Sequence, residues 1–146
     1  MSEYLNVYIT TENKEVFIPL GTFCRSTKIY EVMSANAPYE KIRELTIDKL
    51  NRLILEVKDN LFSLQKRKKS YKKALKLLSS KAENMLPTYF EIISTIEDLD
   101  EEIEEYKFVL NRFEIYNDIL NDYNEASTQI YYGIECYPPS IDDIIE

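Results

Sequence analysis

Two long runs of apolar residues, spaced alternately three and four apart, constrain this chain more than anything else in it. The first takes in Ile47, Leu50, Ile54, Val57, Leu61, Leu64, Lys68, Tyr71, Leu75, Leu78, Ala82 and Met85, and the second Tyr89, Ile92, Ile96, Leu99, Ile103, Tyr106, Leu110 and Phe113. This spacing lays side chains along one stripe of a helix and marks helices that pack along a seam. Asn84 and Pro87 at the close of the first run predict the end of the first helix there, roughly 40 residues and about 60 Å from its start at 1.5 Å per residue. Two glycines and five prolines in 146 residues leave little material for loops, so the second run must fold straight back on the first. Folding at Pro87 sets side by side residues whose numbers add to about 174, which puts Leu78 against Ile96, Leu75 against Leu99 and Tyr71 against Ile103.

The ends of the chain carry a different period. Leu5, Val7 and Ile9 alternate with Tyr4, Asn6 and Tyr8, the mark of a half-buried strand. A turn at 11–14 leads to a second strand at 16–20, where Pro19 predicts an end or an edge position. Ser26 is placed to cap a short helix to Ala35 through Ile29, Val32 and Met33. Asn36-Ala37-Pro38 breaks it, with Pro38 or Thr46 opening the long helix. Past Tyr106 the apolar set widens to include Phe108, Val109, Ile115, Tyr116, Ile119, Leu120 and Tyr123, enough to cover a sheet as well as a seam. Ile130, Tyr132, Ile134 and Cys136 then alternate with Tyr131, Gly133, Glu135 and Tyr137 as a third strand, stopped by Pro138-Pro139.

The expected fold is therefore α+β, mostly α: a long antiparallel helical hairpin, a coiled-coil-like arm, on a small antiparallel β-sheet with a short helix. It reads as one domain. Residues 1–37 give the β-hairpin and short helix, 38–126 the helical hairpin turning at Pro87, 127–139 the third strand and 140–146 an acidic tail.

Charge is segregated along the hairpin. Lys66, Lys69, Lys73 and Lys76 fall on outer positions of the first helix, and Glu97, Glu101, Glu104 and Glu105 on the outer side of the second. Nearer the seam, Arg67 and Lys72 flank one helix while Asp100 and Glu102 flank the other, as interhelical pairs require. Lys68 is the one polar member of the seam; its stem is expected to lie along it with the ammonium reaching Glu102 or Glu105. A positive back and a negative back on one hairpin complement each other, so the chain is expected to pair with copies of itself. The simpler reading is that the charge sets the hairpin register and keeps it soluble.

The formal net charge of −8 opposes non-specific attraction to phosphate backbones. Direct nucleic-acid binding is thus disfavoured despite the run Lys66-Arg67-Lys68-Lys69-Ser70-Tyr71-Lys72-Lys73. There is no histidine, no GxSxG, P-loop or GxGxxG sequence, and no base beside either cysteine, so no catalytic residue is nominated and the chain is expected not to be an enzyme. No cofactor is implied. Glutamates three apart, as at Glu101 and Glu104, suit divalent ions, but the facing positions are lysines and no metal ligand is assigned. Cys24 and Cys136 are too few for a disulfide framework and are expected as free thiols in a reducing, cytoplasmic setting. No apolar window predicts a membrane span, and the start of the chain lacks the features of a secretion signal.

Twelve tyrosines and six phenylalanines give a second candidate surface. Tyr4, Tyr8, Phe17, Tyr131 and Tyr137 are expected to project from one sheet face as a partner surface, unless the short helix covers it. The pattern points to an oligomer-forming interaction protein that binds a host macromolecule, with nucleic-acid-binding proteins among the candidates, through acidic and aromatic surfaces. The amino-acid bias of an AT-rich coding sequence suits an inhibitor or adaptor encoded by a phage or plasmid and acting in a bacterial cytoplasm. Two alternatives stand beside it: an oligomeric binder that sequesters a nucleotide-like ligand through Arg25, Arg43 and Arg112, and a structural coiled-coil component of a larger particle.

Overall fold

The computed structural model describes residues 3–10, 16–35, 41–79, 82–122 and 128–136. Its elements are β1 (Tyr4–Thr10), β2 (Ile18–Cys24), α1 (Lys28–Ser34), β3 (Arg43–Glu44), α2 (Ile47–Leu78), α3 (Ala82–Asp122) and β4 (Gln129–Glu135). The α+β, mostly helical class is the one expected, with two long helices packed together and a four-stranded antiparallel sheet. The chain divides into two compact units, Met1–Ile54 with Asn111–Glu146, and Leu55–Leu110. The turn expected at 11–14, the break at 36–38, Tyr137 and the acidic tail lie outside the described residues.

In the first unit the strand order is β2-β1-β4-β3. The alternation of β1 and β4 is met in full: Leu5 pairs with Ile134, Val7 with Tyr132 and Ile9 with Ile130, so the apolar residues of both strands share one face. Leu5, Val7 and Ile130 are completely buried there. That face takes the start of α2 and the end of α3. Lys49 Nζ donates to the Tyr132 hydroxyl at 3.1 Å, and the Arg112 guanidinium lies 5.9 Å from the centre of the Phe23 ring. Leu50, Phe113 and Tyr116 complete the core.

Three boundaries differ from expectation, each for a local reason. β2 begins later than expected and runs through Gly21 to Cys24, with the Phe23 ring folded over Gly21, where a Cβ would stand 2.7 Å from it. The register with β1 slips between Val7 and Tyr8, so that Val7 faces Gly21 and Tyr8 faces Pro19, leaving Leu20 as the extra residue of a bulge. Pro19 is tolerated because β2 is an edge strand. Thr27, not Ser26, caps α1: its Oγ1 accepts from the Tyr30 N–H at 3.4 Å and donates to the Cys24 carbonyl at 2.7 Å.

Residues 41–46, just before α2, are not helical. Arg43 and Glu44 pair with Tyr132 and Tyr131 as a fourth strand absent from the expectation, and the Leu45 N–H donates to the Ile130 carbonyl at 2.7 Å. These bonds occupy the open edge of β4, and Leu45 is buried as it passes. Thr46 then caps α2, accepting from the Lys49 N–H at 3.2 Å.

In the second unit, α2 and α3 bury Val57, Leu61, Leu64, Leu99, Ile103 and Val109, and Tyr71, Leu75, Leu78, Tyr89, Ile92 and Ile96 are half-buried. The expected turn at Pro87 is corrected: α2 ends at Leu78 and α3 begins at Ala82, with Pro87 inside it. The Ser79 hydroxyl donates to the Lys76 carbonyl at 2.7 Å, satisfying an acceptor that the end of α2 would leave open. Pro87 lies in the second turn of α3, where its missing N–H removes a single helical bond.

Candidate interaction surfaces

The earlier turn changes which residues face each other. Lys68 of α2 forms an ion pair with Asp100 of α3, a partner beyond the Glu102 and Glu105 expected. Those two numbers add to 168 instead of 174. Gln65, Lys68, Lys69 and Lys72 of α2 line a shallow groove together with Asp100, Ile103, Glu104 and Lys107 of α3. Lys69 and Glu104, from the two outer stripes, therefore reach the same side of the hairpin. Lys107 also pairs along its own helix with Glu104 at 3.4 Å, an exposed contact of the kind worth about 0.2 to 1 kcal/mol.

All eight nominated charges, Lys66, Lys69, Lys73, Lys76, Glu97, Glu101, Glu104 and Glu105, are exposed. The sequence reading overlooked what accompanies them. Leu55, Phe62 and Leu77 on α2 are 62%, 69% and 75% exposed, and Leu86, Phe90 and Phe108 on α3 are 45%, 59% and 46% exposed. At 100° per residue, Phe62, Lys66, Lys73 and Leu77 share one stripe of α2, and Phe90, Glu97, Glu101, Glu104 and Phe108 one stripe of α3. Each stripe is thus apolar at its ends and charged in its middle. The signal was present in the sequence, because Phe62 follows Leu55 by one heptad on the side away from the seam.

The aromatic sheet face is assembled in part. Phe17 packs edge-on against Tyr8, with ring centroids 6.1 Å apart, and against Tyr131 at 5.4 Å. Tyr8 is only 5% exposed, and its hydroxyl donates to Glu135 Oε1 at 2.5 Å, an oxygen that also accepts from Asn6 Nδ2 at 2.9 Å. Its place in a partner surface is corrected to a place in a cross-strand network. Part of this face is occupied at Gly133, where a Cβ would stand 2.0 Å from the Lys41 carbonyl oxygen, so the backbone of Lys41 and Ile42 crosses the sheet there. Tyr4, Phe17 and Tyr131 remain half-buried. The Tyr131 hydroxyl donates to Gln129 Oε1 at 2.8 Å, and burial, with the Glu44 carboxylate behind it, pushes the Tyr131 phenol above its ordinary pKa.

The three arginines of the ligand-binding alternative stand in different settings. Arg25 is exposed in the turn after β2, Arg43 is exposed in β3 opposite Tyr132, and Arg112 lies over Phe23. Cys24 and Cys136 are both thiols, and the Ser26 hydroxyl holds the Cys24 thiol below its ordinary pKa. Among the described residues no group of acidic, histidine or cysteine side chains is arranged to hold a metal ion, and no helix is long and apolar enough to cross a membrane.

The chain matches no protein-family model, and neither a curated protein nor a solved structure resembles it significantly.

Proposed function

We propose that this protein is a non-enzymatic interaction protein that forms oligomers and blocks or recruits a host macromolecule. The observation that carries the reading is the concentration of exposed carboxylates on α3, with Glu97, Asp98, Glu101, Glu104 and Glu105 within nine consecutive residues of a chain whose net charge is −8. A helix presenting that row complements a basic channel or groove, such as the one a nucleic-acid-binding protein offers its own ligand. Occupying the channel excludes the nucleic acid without any chemistry. An inhibitor or adaptor encoded by a phage or plasmid and working in a bacterial cytoplasm is the concrete form of this proposal.

The test is capture of partners from a bacterial lysate on the immobilised protein, compared with a variant carrying Glu97→Gln, Asp98→Asn, Glu101→Gln and Glu105→Gln. A basic partner should be retained by the native chain at about 50 mM salt, released by about 500 mM, and not retained by the variant. Retention that is equal at both salt concentrations would refute the electrostatic mechanism.

A further inference from the structure

The two outer ridges of the Leu55–Leu110 hairpin lie on opposite edges. Measured at 100° per residue from the buried row Val57, Leu61 and Leu64, Phe62, Lys66 and Lys73 of α2 point about 135 to 175° away from the seam. Measured from buried Leu99 and Ile103, Glu97, Glu101 and Phe108 of α3 point about 140 to 180° away from it. All six are exposed. One ridge is basic and the other acidic, and a single hairpin cannot bring them together. A two-fold axis beside either edge would lay lysine on lysine or glutamate on glutamate, which like charges oppose.

The ridges nevertheless match in spacing. Lys68 meets Asp100 across the hairpin, two numbers that add to 168. At a sum of 170, about 3 Å of helix away, Phe62 stands level with Phe108, Lys66 with Glu104, Lys69 with Glu101 and Lys73 with Glu97. Lys69 and Glu104 flank their ridges on the side of the groove. Past the charged run, Leu77 and Phe90, 75% and 59% exposed, fall within one helical turn of the same level. Setting a second hairpin beside the first in the same orientation, α3 edge against α2 edge, keeps every residue at its height. The register between copies is then the register within one hairpin, with α2 and α3 antiparallel at the contact. Three ammonium groups find three carboxylates, between an aromatic pair at one end and an apolar pair at the other.

We infer that the α2 edge of each hairpin docks on the α3 edge of the next copy, head to tail, so that Phe62 meets Phe108, and Lys66, Lys69 and Lys73 meet Glu104, Glu101 and Glu97 of the neighbour. Opposite edges are what such a contact needs, because each copy then offers one edge to either side and the contact repeats. The product is an open row of copies, not a closed pair. This inference rests on the oligomer-forming part of the proposed function and names the partner as the chain itself. A row ends in one free α3 edge, which leaves Glu97, Glu101 and Glu104 of the last copy to a basic host partner.

The test uses charge reversal on the full chain. One variant carries Lys66→Glu, Lys69→Glu and Lys73→Glu, and the other Glu97→Lys, Glu101→Lys and Glu104→Lys, each checked for native helix content by circular dichroism. Sedimentation at tens of micromolar protein and about 50 mM salt should show the native chain growing past the dimer as its concentration rises, and each variant alone as a monomer. The equimolar mixture should grow again, because mixing sets unlike charges at every contact. A chain carrying both Phe62→Cys and Phe108→Cys, with Cys24→Ser and Cys136→Ser, should give on oxidation a ladder of covalent dimers, trimers and larger species. A native chain that stays monomeric or stops at a dimer overturns the inference. So does a mixture that stays monomeric, or a double-cysteine chain that cross-links only within itself. Salt-dependent capture of a host partner by a chain that does not assemble would leave the electrostatic mechanism of the proposed function standing, so the two fail separately.

Discussion

In the sheet-bearing unit Leu5, Val7, Ile29, Leu50, Phe113 and Ile130 are all fully buried, whereas in the hairpin unit only Val57 and Val109 among the described residues reach that depth. Both glycines of the chain, Gly21 and Gly133, lie in the first unit, each where another group presses on the backbone. The hairpin unit has no glycine and carries the large exposed side chains Leu55, Phe62, Leu77, Leu86, Phe90 and Phe108. A sheet flanked by helices encloses residues on several sides, while a pair of helices can bury only the stripe along which they touch. The first unit therefore holds the deeper core. The second keeps surface in reserve for a further layer, which is the structural reason to look for partners along the hairpin.

The most direct way to break this comparison is to truncate leucines at both levels of the same helix. Leu50 is fully buried, and Leu50→Ala should lower the unfolding free energy by about 2 to 5 kcal/mol through lost burial and the cavity left behind. Leu75, half-buried on the same helix, should cost about 1 kcal/mol or less on the same change, because water already reaches part of it. Urea denaturation of the two variants measures the difference. Equal losses would mean that the hairpin seam is as deep a core as the sheet.

The glycines sharpen the same contrast on a smaller scale. Gly133→Ala must move a backbone carbonyl that stands 2.0 Å from the new methyl group, and it should destabilise by about 2 kcal/mol. Gly21→Ala meets only the Phe23 ring, which can rotate aside, so its effect should be about half as large. If the two midpoints shift equally, the crossing of Lys41 and Ile42 over the sheet is softer than the geometry implies.

Tyr116 tests how dry the first core is. Its side chain is 1% exposed and its hydroxyl has no hydrogen-bond partner among the described residues, and burial pushes the phenol up to about 12, against an opposing pull from Arg112. Because the folded pKa is raised above the ordinary value of 10.0, the unfolded chain loses the proton first. Stability is complete below pH 10, falls between pH 10 and 12, and drops by about 2 to 3 kcal/mol over that window. Tyr116→Phe should remove this slope and raise stability at neutral pH by about 1 kcal/mol, since an unpaired buried hydroxyl is deleted. Chemical denaturation at pH 8 and pH 11 reads both effects.

What the sequence disclosed follows the same division. The seam was legible because a period of three and four, sustained from Ile47 to Phe113, has one structural meaning, and the core faces of β1 and β4 were legible from strict alternation. Arg43 and Glu44 gave no such sign, because a two-residue strand has no period and exists only through β4 beside it. Pro87 misled on the turn, since a proline in the second turn of a helix looks the same in sequence as one that ends it. Tyr8 looked open because alternation tells which side a residue takes but not what crosses that side, and the segment pressing on Gly133, Lys41 with Ile42, comes from far earlier in the chain. The charged stripes were legible as exposed because they lie away from the seam, whereas Phe62, Phe90 and Phe108 carry no period that tells an exposed aromatic residue from a buried one.

The smallest effect bears on the register in which α2 and α3 run past each other. Lys68 and Asp100 form their ion pair across the hairpin with side chains 27% and 48% exposed, so water screens them and their coupling should be only about 0.2 to 1 kcal/mol. A double-mutant cycle with Lys68→Met and Asp100→Asn isolates that term from the effect of burying a longer apolar stem at the seam. The same cycle run with Glu105→Gln in place of Asp100→Asn is the control, because a turn at Pro87 would bring Lys68 to Glu105 instead. Coupling to Asp100 that weakens in high salt, with less coupling to Glu105, fixes the level at which α2 and α3 run past each other. The reverse result would move α3 by more than one helical turn against α2.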